Sequence, residues 1–184
     1  MNNASLVVPD GAGILWAAER QGEHVPERVT GVDVTKELFK VAATHQIPVY
    51  CLGAAPGVAQ RAIDNVSAQV GVLNIAGIHD GFFDSAEEQE IIKSIAESKA
   101  KLVFVALGVP KQEQWIAEKL SHLDGVVAIG IGGSFDVLAG NIPRAPEWMQ
   151  QNRLEWLYRL YLEPQRIGRM LATPKFMWTV IRNK

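Results

Sequence analysis

The chain has one cysteine, Cys51, in 184 residues. A single thiol cannot close an intrachain disulfide and gives no support to a cysteine-based zinc site. It suits a reducing compartment. Long hydrophobic runs are missing too. LVFVALGV and VVAIGIGG, among the longest, fall well short of the roughly 20 apolar residues that span a bilayer. No charged-then-apolar leader opens the chain, so no secretory signal is expected. The pattern G-x-x-x-x-G-K-[ST] is absent, which argues against a P-loop nucleotidase. No D-x-D pair occurs, so there is no ready carboxylate cluster for a nucleotide-bound divalent metal. Internal repeats and low-complexity segments are absent as well.

What is present suits one domain. Apolar residues make up 48% of the chain and charged residues 21%, enough for a substantial core in an ordinary globular protein. The net charge of −2 hides an asymmetry. Residues 164–184 hold Arg166, Arg169, Lys175, Arg182 and Lys184 with no acid, a charge of +5. That leaves 13 basic against 20 acidic residues, or −7, for residues 1–163. A basic tail on an acidic body points to an anionic partner such as a membrane, phosphate or nucleic acid; the alternative is a solvated terminus.

Short β-rich runs alternate with helix-length amphipathic stretches. Strands are expected at 6–8, 48–53, 70–77, 101–108 and 125–132, and helices at about 11–21, 33–45, 56–68, 86–99 and 111–122. The strand candidates are apolar on both faces, as in a sheet covered by helices on both sides. Strands separated by single helices mean right-handed βαβ units. The expected fold is therefore α/β, with a Rossmann-like, mostly parallel sheet over residues 1–145. From Pro146 to Lys184 no strand is expected. Trp148, Leu154, Trp156, Leu157, Leu160 and Tyr161 recur at helical spacing, and Pro164 and Pro174 divide the stretch. This C-terminal helical appendage, residues 146–184, mixes cations with aromatic and aliphatic residues. Such a mixture suits a helix lying in a membrane interface, or else an arm packed on the sheet.

In an open α/β sheet, ligands bind beyond the C-terminal strand ends. Three glycine turns fall there: Gly53–Gly57, Gly108–Glu113 and Gly130–Asp136. Glycine permits close backbone approach, and the N–H groups opening the next helix attract phosphate. A dinucleotide-binding oxidoreductase is a competing reading, but the turn after Leu52 lacks the middle glycine of G-x-G-x-x-G, and no strand follows the Gly130 turn to supply the ribose carboxylate. Asp10, in PDGAG after the first apolar run, is a candidate general base at a strand end, or a helix N-cap. Arg28 is either a surface residue or an anion contact. His79 and Asp80 form either a proton-transfer pair or a turn before Phe82 and Phe83. Cys51 lies mid-strand and is expected in the core. With no D-x-D, a bound diphosphate would have to be neutralised by arginines.

Taken in order, PDGAG at 9–13, RVTGVD at 28–33, GIHDGFF at 77–83, GVPKQEQWI at 108–116, GIGGSFDVLAG at 130–140, RAPEW at 144–148 and LEWLYRLYLEPQRIGR at 154–169 resemble the WecG/TagA/CpsF family of glycosyltransferases. The match covers almost the whole chain. It implies transfer of a sugar, commonly N-acetylmannosamine, from a UDP-sugar donor to undecaprenyl-diphosphate-linked N-acetylglucosamine, for teichoic acid, common antigen or capsule. It also implies an inverting reaction with no metal and no cofactor, on a Rossmann-like fold. On the matching positions, Asp10 is the implied base for the acceptor hydroxyl. Arg28, Gln112 and Asp136 line the nucleotide-sugar pocket, and Arg159, Arg166 and Arg169 close over the diphosphate.

The implied partners are the UDP-sugar, the polyprenyl-diphosphate acceptor and an anionic membrane surface, with homo-oligomers allowed and nucleic acid not expected. The implied location is peripheral, on the cytoplasmic face of the bacterial membrane. Family members carry a further segment of about one βαβ unit, with an active-site threonine, before the PDG motif. A binding module without turnover is therefore the alternative within the family.

Overall fold

The computed structural model describes residues 4–25, 28–152, 154–162, 164, 168 and 172–182, with the side chains of 12 and 172–175 left out of the description. Two compact units are present, one of residues 31–142 and one of residues 2–30 with 143–184.

The first unit holds the sheet. Its elements are α2 (Gly31–His45), β1 (Val49–Gly53), α3 (Val58–Val70), β2 (Ile75–His79), α4 (Ser85–Glu97), β3 (Leu102–Ala106), α5 (Lys111–Trp115), β4 (Val127–Gly130) and α6 (Ser134–Leu138). All four strands are parallel, in the order β2-β1-β3-β4. The fold is α/β and Rossmann-like, as expected.

Every residue of the central strands β1 and β3 is buried, and their side chains alternate between two cores. Val49, Cys51, Leu102, Phe104 and Ala106 face one core with Phe39 of α2, Val58 to Val66 of α3 and Phe135 of α6. Tyr50, Leu52, Val103 and Val105 face the other with Ile91 and Ile95 of α4, Trp115 and Leu120. Phe39 and Phe104 anchor the first core, with ring centroids 4.6 Å apart in a tilted pair. The Cys51 thiol is fully buried, and burial pushes its pKa well above the usual range, which keeps it an unreactive part of the core.

Several sequence expectations change. Residues 6–8 form no strand, so Asp10 does not stand at a strand end. A three-residue run ending at Pro9 offers little to a ladder. Pro9 has no N–H to give, and Leu6 and Val7 are 80% and 61% exposed. The strand expected at 70–77 begins only at Ile75, because α3 continues to Val70 and stops at Gly71 with φ 97°. The helix expected at 111–122 is α5 followed by a π-helical turn, Ile116–Leu120.

The second unit contains α1 (Ala12–Gln21), α7 (Glu147–Gln151), α8 (Glu155–Leu162) and α9 (Ala172–Arg182). Pro174 falls at the start of a helix, α9. It sits in the first turn of α9, where its missing N–H costs no helical bond. Helix α1 packs against α9, with Gly13 facing the Phe176 ring. Among the described residues, no helix is long and apolar enough to cross a membrane.

Glu88 ties α4 to the π-helical turn. It accepts from the Trp115 indole N–H at 2.9 Å and pairs with Lys119 at 3.0 Å. The Lys119 hydrogen bond, opposed by partial burial and assisted by Trp115, holds the Glu88 carboxyl below its ordinary value of 4.5. Its stabilising effect is therefore complete above that value and is lost as pH falls through the lower folded value. Urea melts between pH 6 and about pH 3 should show a shallower acid loss in Glu88→Gln than in the unaltered chain. Equal slopes would remove Glu88 from the acid response.

Candidate functional site

The order of strand addition reverses between β1 and β3, since β2 lies on one side of β1 and β3 on the other. Ligand crevices form at such points, outside the C-terminal strand ends. Here the loops are stitched together. The Ala54 N–H donates to the Ala106 carbonyl at 3.0 Å, and the Gly81 N–H donates to the Ala54 carbonyl at 2.8 Å. Gly53 has φ 119°, and a Cβ there would collide with the Ala106 backbone. Only glycine lets the two loops approach so closely. An open cavity of about 270 Å³ lies beside them, lined by Ala55, Gly57, Gln60, Ile78, His79 and Asp80.

His79 and Asp80 form a turn at this cavity. The Asp80 carboxylate accepts from the Phe82 N–H at 2.8 Å, and His79 Nδ1 lies 3.0 Å from the Asp80 carbonyl oxygen. The His79 ring stands edge-on to Phe83, whose face carries the Lys111 ammonium 5.3 Å from the ring centroid. An exposed cation at the start of α5 thus reaches a ring in the loop after β2.

Gln112 is almost fully buried in the first turn of α5. Its Oε1 accepts from the Gly132 N–H at 2.9 Å, and its Nε2 donates to Glu113 at 2.8 Å. Its side chain lies over Gly130, where an added Cβ would come 2.6 Å from Nε2. Gln112 therefore locks the loops after β3 and β4 together, with one amide proton beyond the Glu113 bond. Asp136, in the first turn of α6, accepts from Asn141 at 3.2 Å. Asn141 in turn accepts from Arg61 at 3.2 Å. The sequence reading passed over both Arg61 and Glu113. Glu113 stood next to a chosen residue inside a quoted motif, and Arg61 carried no signal.

The second unit gathers Asp10, Arg28 and Arg159. Arg28 Nε donates to the Asp10 carbonyl at 2.6 Å, and its Nη2 pairs with Asp10 Oδ1 at 3.2 Å. Its Nη1 pairs with Glu155 Oε2 at 3.1 Å, while Glu155 Oε1 lies 3.6 Å from Arg159 Nη2. The order is carboxylate, guanidinium, carboxylate, guanidinium. Glu155 is 4% exposed, whereas the Asp10 side chain is 53% exposed and open to solvent. Gly11, not Asp10, takes the N-cap position of α1. Glu155 is a further residue the sequence reading missed, although it lies in a quoted motif. Arg166 and Arg169 lie outside the described residues. Met149, Leu157, Tyr158, Leu160 and Tyr161 line an apolar cleft on α7 and α8. Among the described residues, no three His, Cys, Asp or Glu side chains gather as a metal site.

Residues 1–184 match the model of the glycosyl transferase WecG/TagA/CpsF family. The N-acetylglucosaminyldiphosphoundecaprenol N-acetyl-beta-D-mannosaminyltransferase of Bacillus subtilis is 36% identical over 184 residues, all of this chain and 71% of that protein. The enzyme of the same name from Bacillus spizizenii is 37% identical over 185 residues, with 71% of its length covered. That from Staphylococcus aureus is 33% identical over 184 residues, with 72% covered. The oxidoreductase alternative is set aside by these matches. The chain belongs to the WecG/TagA/CpsF family and is a glycosyltransferase.

Proposed function

We propose that this glycosyltransferase moves N-acetylmannosamine from a UDP-sugar to undecaprenyl-diphosphate-linked N-acetylglucosamine, with inversion and without a metal. The observation that carries the reading is the exposed Asp10, whose backbone carbonyl and carboxylate Arg28 holds with two of its nitrogens. The relatives' names supply the acceptor and the sugar. In the proposed step, an acceptor hydroxyl oxygen attacks the anomeric carbon and its proton passes to Asp10. The bond from that carbon to the diphosphate oxygen breaks, and UDP leaves with the electron pair. Arg28 holds Asp10 in place for that step. Gln112 and Asp136 contact the nucleotide-sugar, and Arg159, Arg166 and Arg169 neutralise the departing diphosphate in place of a metal.

The appendage is proposed to rest on the cytoplasmic face of the bacterial membrane, where a polyprenyl-linked acceptor would lie. What supports this is a set of exposed apolar side chains: Trp148, Trp156, Leu157 and Tyr161 from α7 and α8, and Met177, Trp178 and Ile181 on α9. The five cations of residues 164–184 add to it, each contributing about 1 kcal/mol near an anionic surface.

Three outcomes follow. Asp10→Asn should lower kcat by about 10²–10⁴-fold with UDP affinity nearly unchanged; near-normal turnover would remove Asp10 from the mechanism. Transfer should persist in EDTA, and abolition by EDTA with rescue by Mg²⁺ or Mn²⁺ would overturn metal independence. Finally, the chain should sediment with anionic vesicles at low salt and release as salt rises. Indifference to anionic vesicles at low salt would leave the appendage as a structural arm.

A further inference from the structure

Glu155 is a buried carboxylate to which the mechanism above gives no task. It is 4% exposed and stands in the first turn of α8, where the helix N-terminus favours negative charge. Each oxygen faces a different guanidinium, Oε2 toward Arg28 at 3.1 Å and Oε1 toward Arg159 at 3.6 Å. A carboxylate so enclosed is out of reach of an acceptor hydroxyl. It has a use as an anchor.

The geometry of Arg28 shows what would be anchored. Its guanidinium is a flat fork, so fixing one edge fixes the direction of the other. One edge, Nε and Nη2, holds the Asp10 carbonyl and carboxylate. The remaining nitrogen, Nη1, is held by Glu155. Asp10 lies in a stretch with no regular secondary structure, and its carboxylate is half exposed.

We propose that Glu155 is a positioning residue for transfer. It fixes the Arg28 fork, through which it aims the Asp10 carboxylate, and so makes a docked α8 a condition for a correctly oriented base. The same carboxylate holds Arg159 on its own helix, four residues on. Base and diphosphate arginine are thereby referred to one buried anion. This inference rests on the assignment of Asp10 as the base.

The test is a double-mutant cycle on sugar transfer, combined with a measurement that does not need turnover. Glu155→Gln keeps the shape and removes the charge. It should lower kcat by about 10–100-fold in the unaltered background and by less than about 2-fold in Arg28→Gln, where the link is already cut. An equal fold loss in both backgrounds marks Glu155 as merely structural and overturns the proposal. Should Glu155→Gln fail to fold, Glu155→Asp replaces it in the same cycle, with the same pattern expected. That variant keeps the charge but is one methylene too short to hold Arg28.

In parallel, side-chain ¹⁵N spectra of arginine, with the Arg28 signal identified by its loss in Arg28→Lys, report solvent exchange of the guanidinium protons. Exchange at Arg28 should quicken at least about 10-fold when Glu155 is replaced, because the ion pair at Nη1 is lost and water reaches the guanidinium. Unchanged exchange overturns the anchor. A chain that transfers no sugar while Arg28 exchange responds to Glu155 would count against the assigned reaction and leave the anchor standing.

Discussion

Backbone N–H and C=O groups buried away from water must find partners inside the protein. The central pair of strands in this chain meets that demand under the strictest conditions. All ten residues of β1 and β3 are buried, so every ladder bond between Val49–Gly53 and Leu102–Ala106 forms in a dry interior. Two-sided burial forces apolar side chains on both faces, and helices must then cover both. Parallel pairing demands crossover connections, which place all the following loops at one edge. The close approach of Gly53 to Ala106 and the bonds among the loops after β1, β2 and β3 are consequences of that pairing.

The second unit is organised by charge. Glu155 costs too much as a lone buried ion, and Arg28 and Arg159 offset that cost. Arg28 is then shared with Asp10, leaving one carboxylate buried and the other half exposed. The proposed tasks of the two carboxylates divide along that difference in exposure. Helix α8 separates its faces in the same manner. Glu155 and Arg159 form a charged row, while Leu157, Tyr158 and Tyr161 turn toward an apolar cleft.

Much of the fold was legible because period-2 and period-3.6 patterns report burial directly. The runs around Val49–Gly53 and Leu102–Ala106 were apolar on both faces for the physical reason just given. The run at 6–8 had similar composition but no partner strand, and composition carries no information about partners. Residues 70–74 misled for the opposite reason. Their valines and leucine suit a strand, yet α3 continues to Val70 and Gly71 turns the chain out of the helix. The π-helical turn at 116–120 left no mark in the spacing, since Trp115 and Leu120 at its two ends are both core residues, as they would be on a regular helix.

By itself the sequence determined the α/β class, the apolar runs that became the strands of the sheet, the glycine turns and the family. Each of these is written in residue types at short spacing, where local sterics and burial act. Only the tertiary structure decided that Arg28 stands between Asp10 and Glu155, that Gln112 turns inward to hold Gly132, and that Asp136 meets Asn141 and Arg61. A charged or amide side chain has several partners within reach in any unfolded chain. Which one it keeps depends on which is brought beside it in the absence of competing water, and that is a property of the folded chain alone.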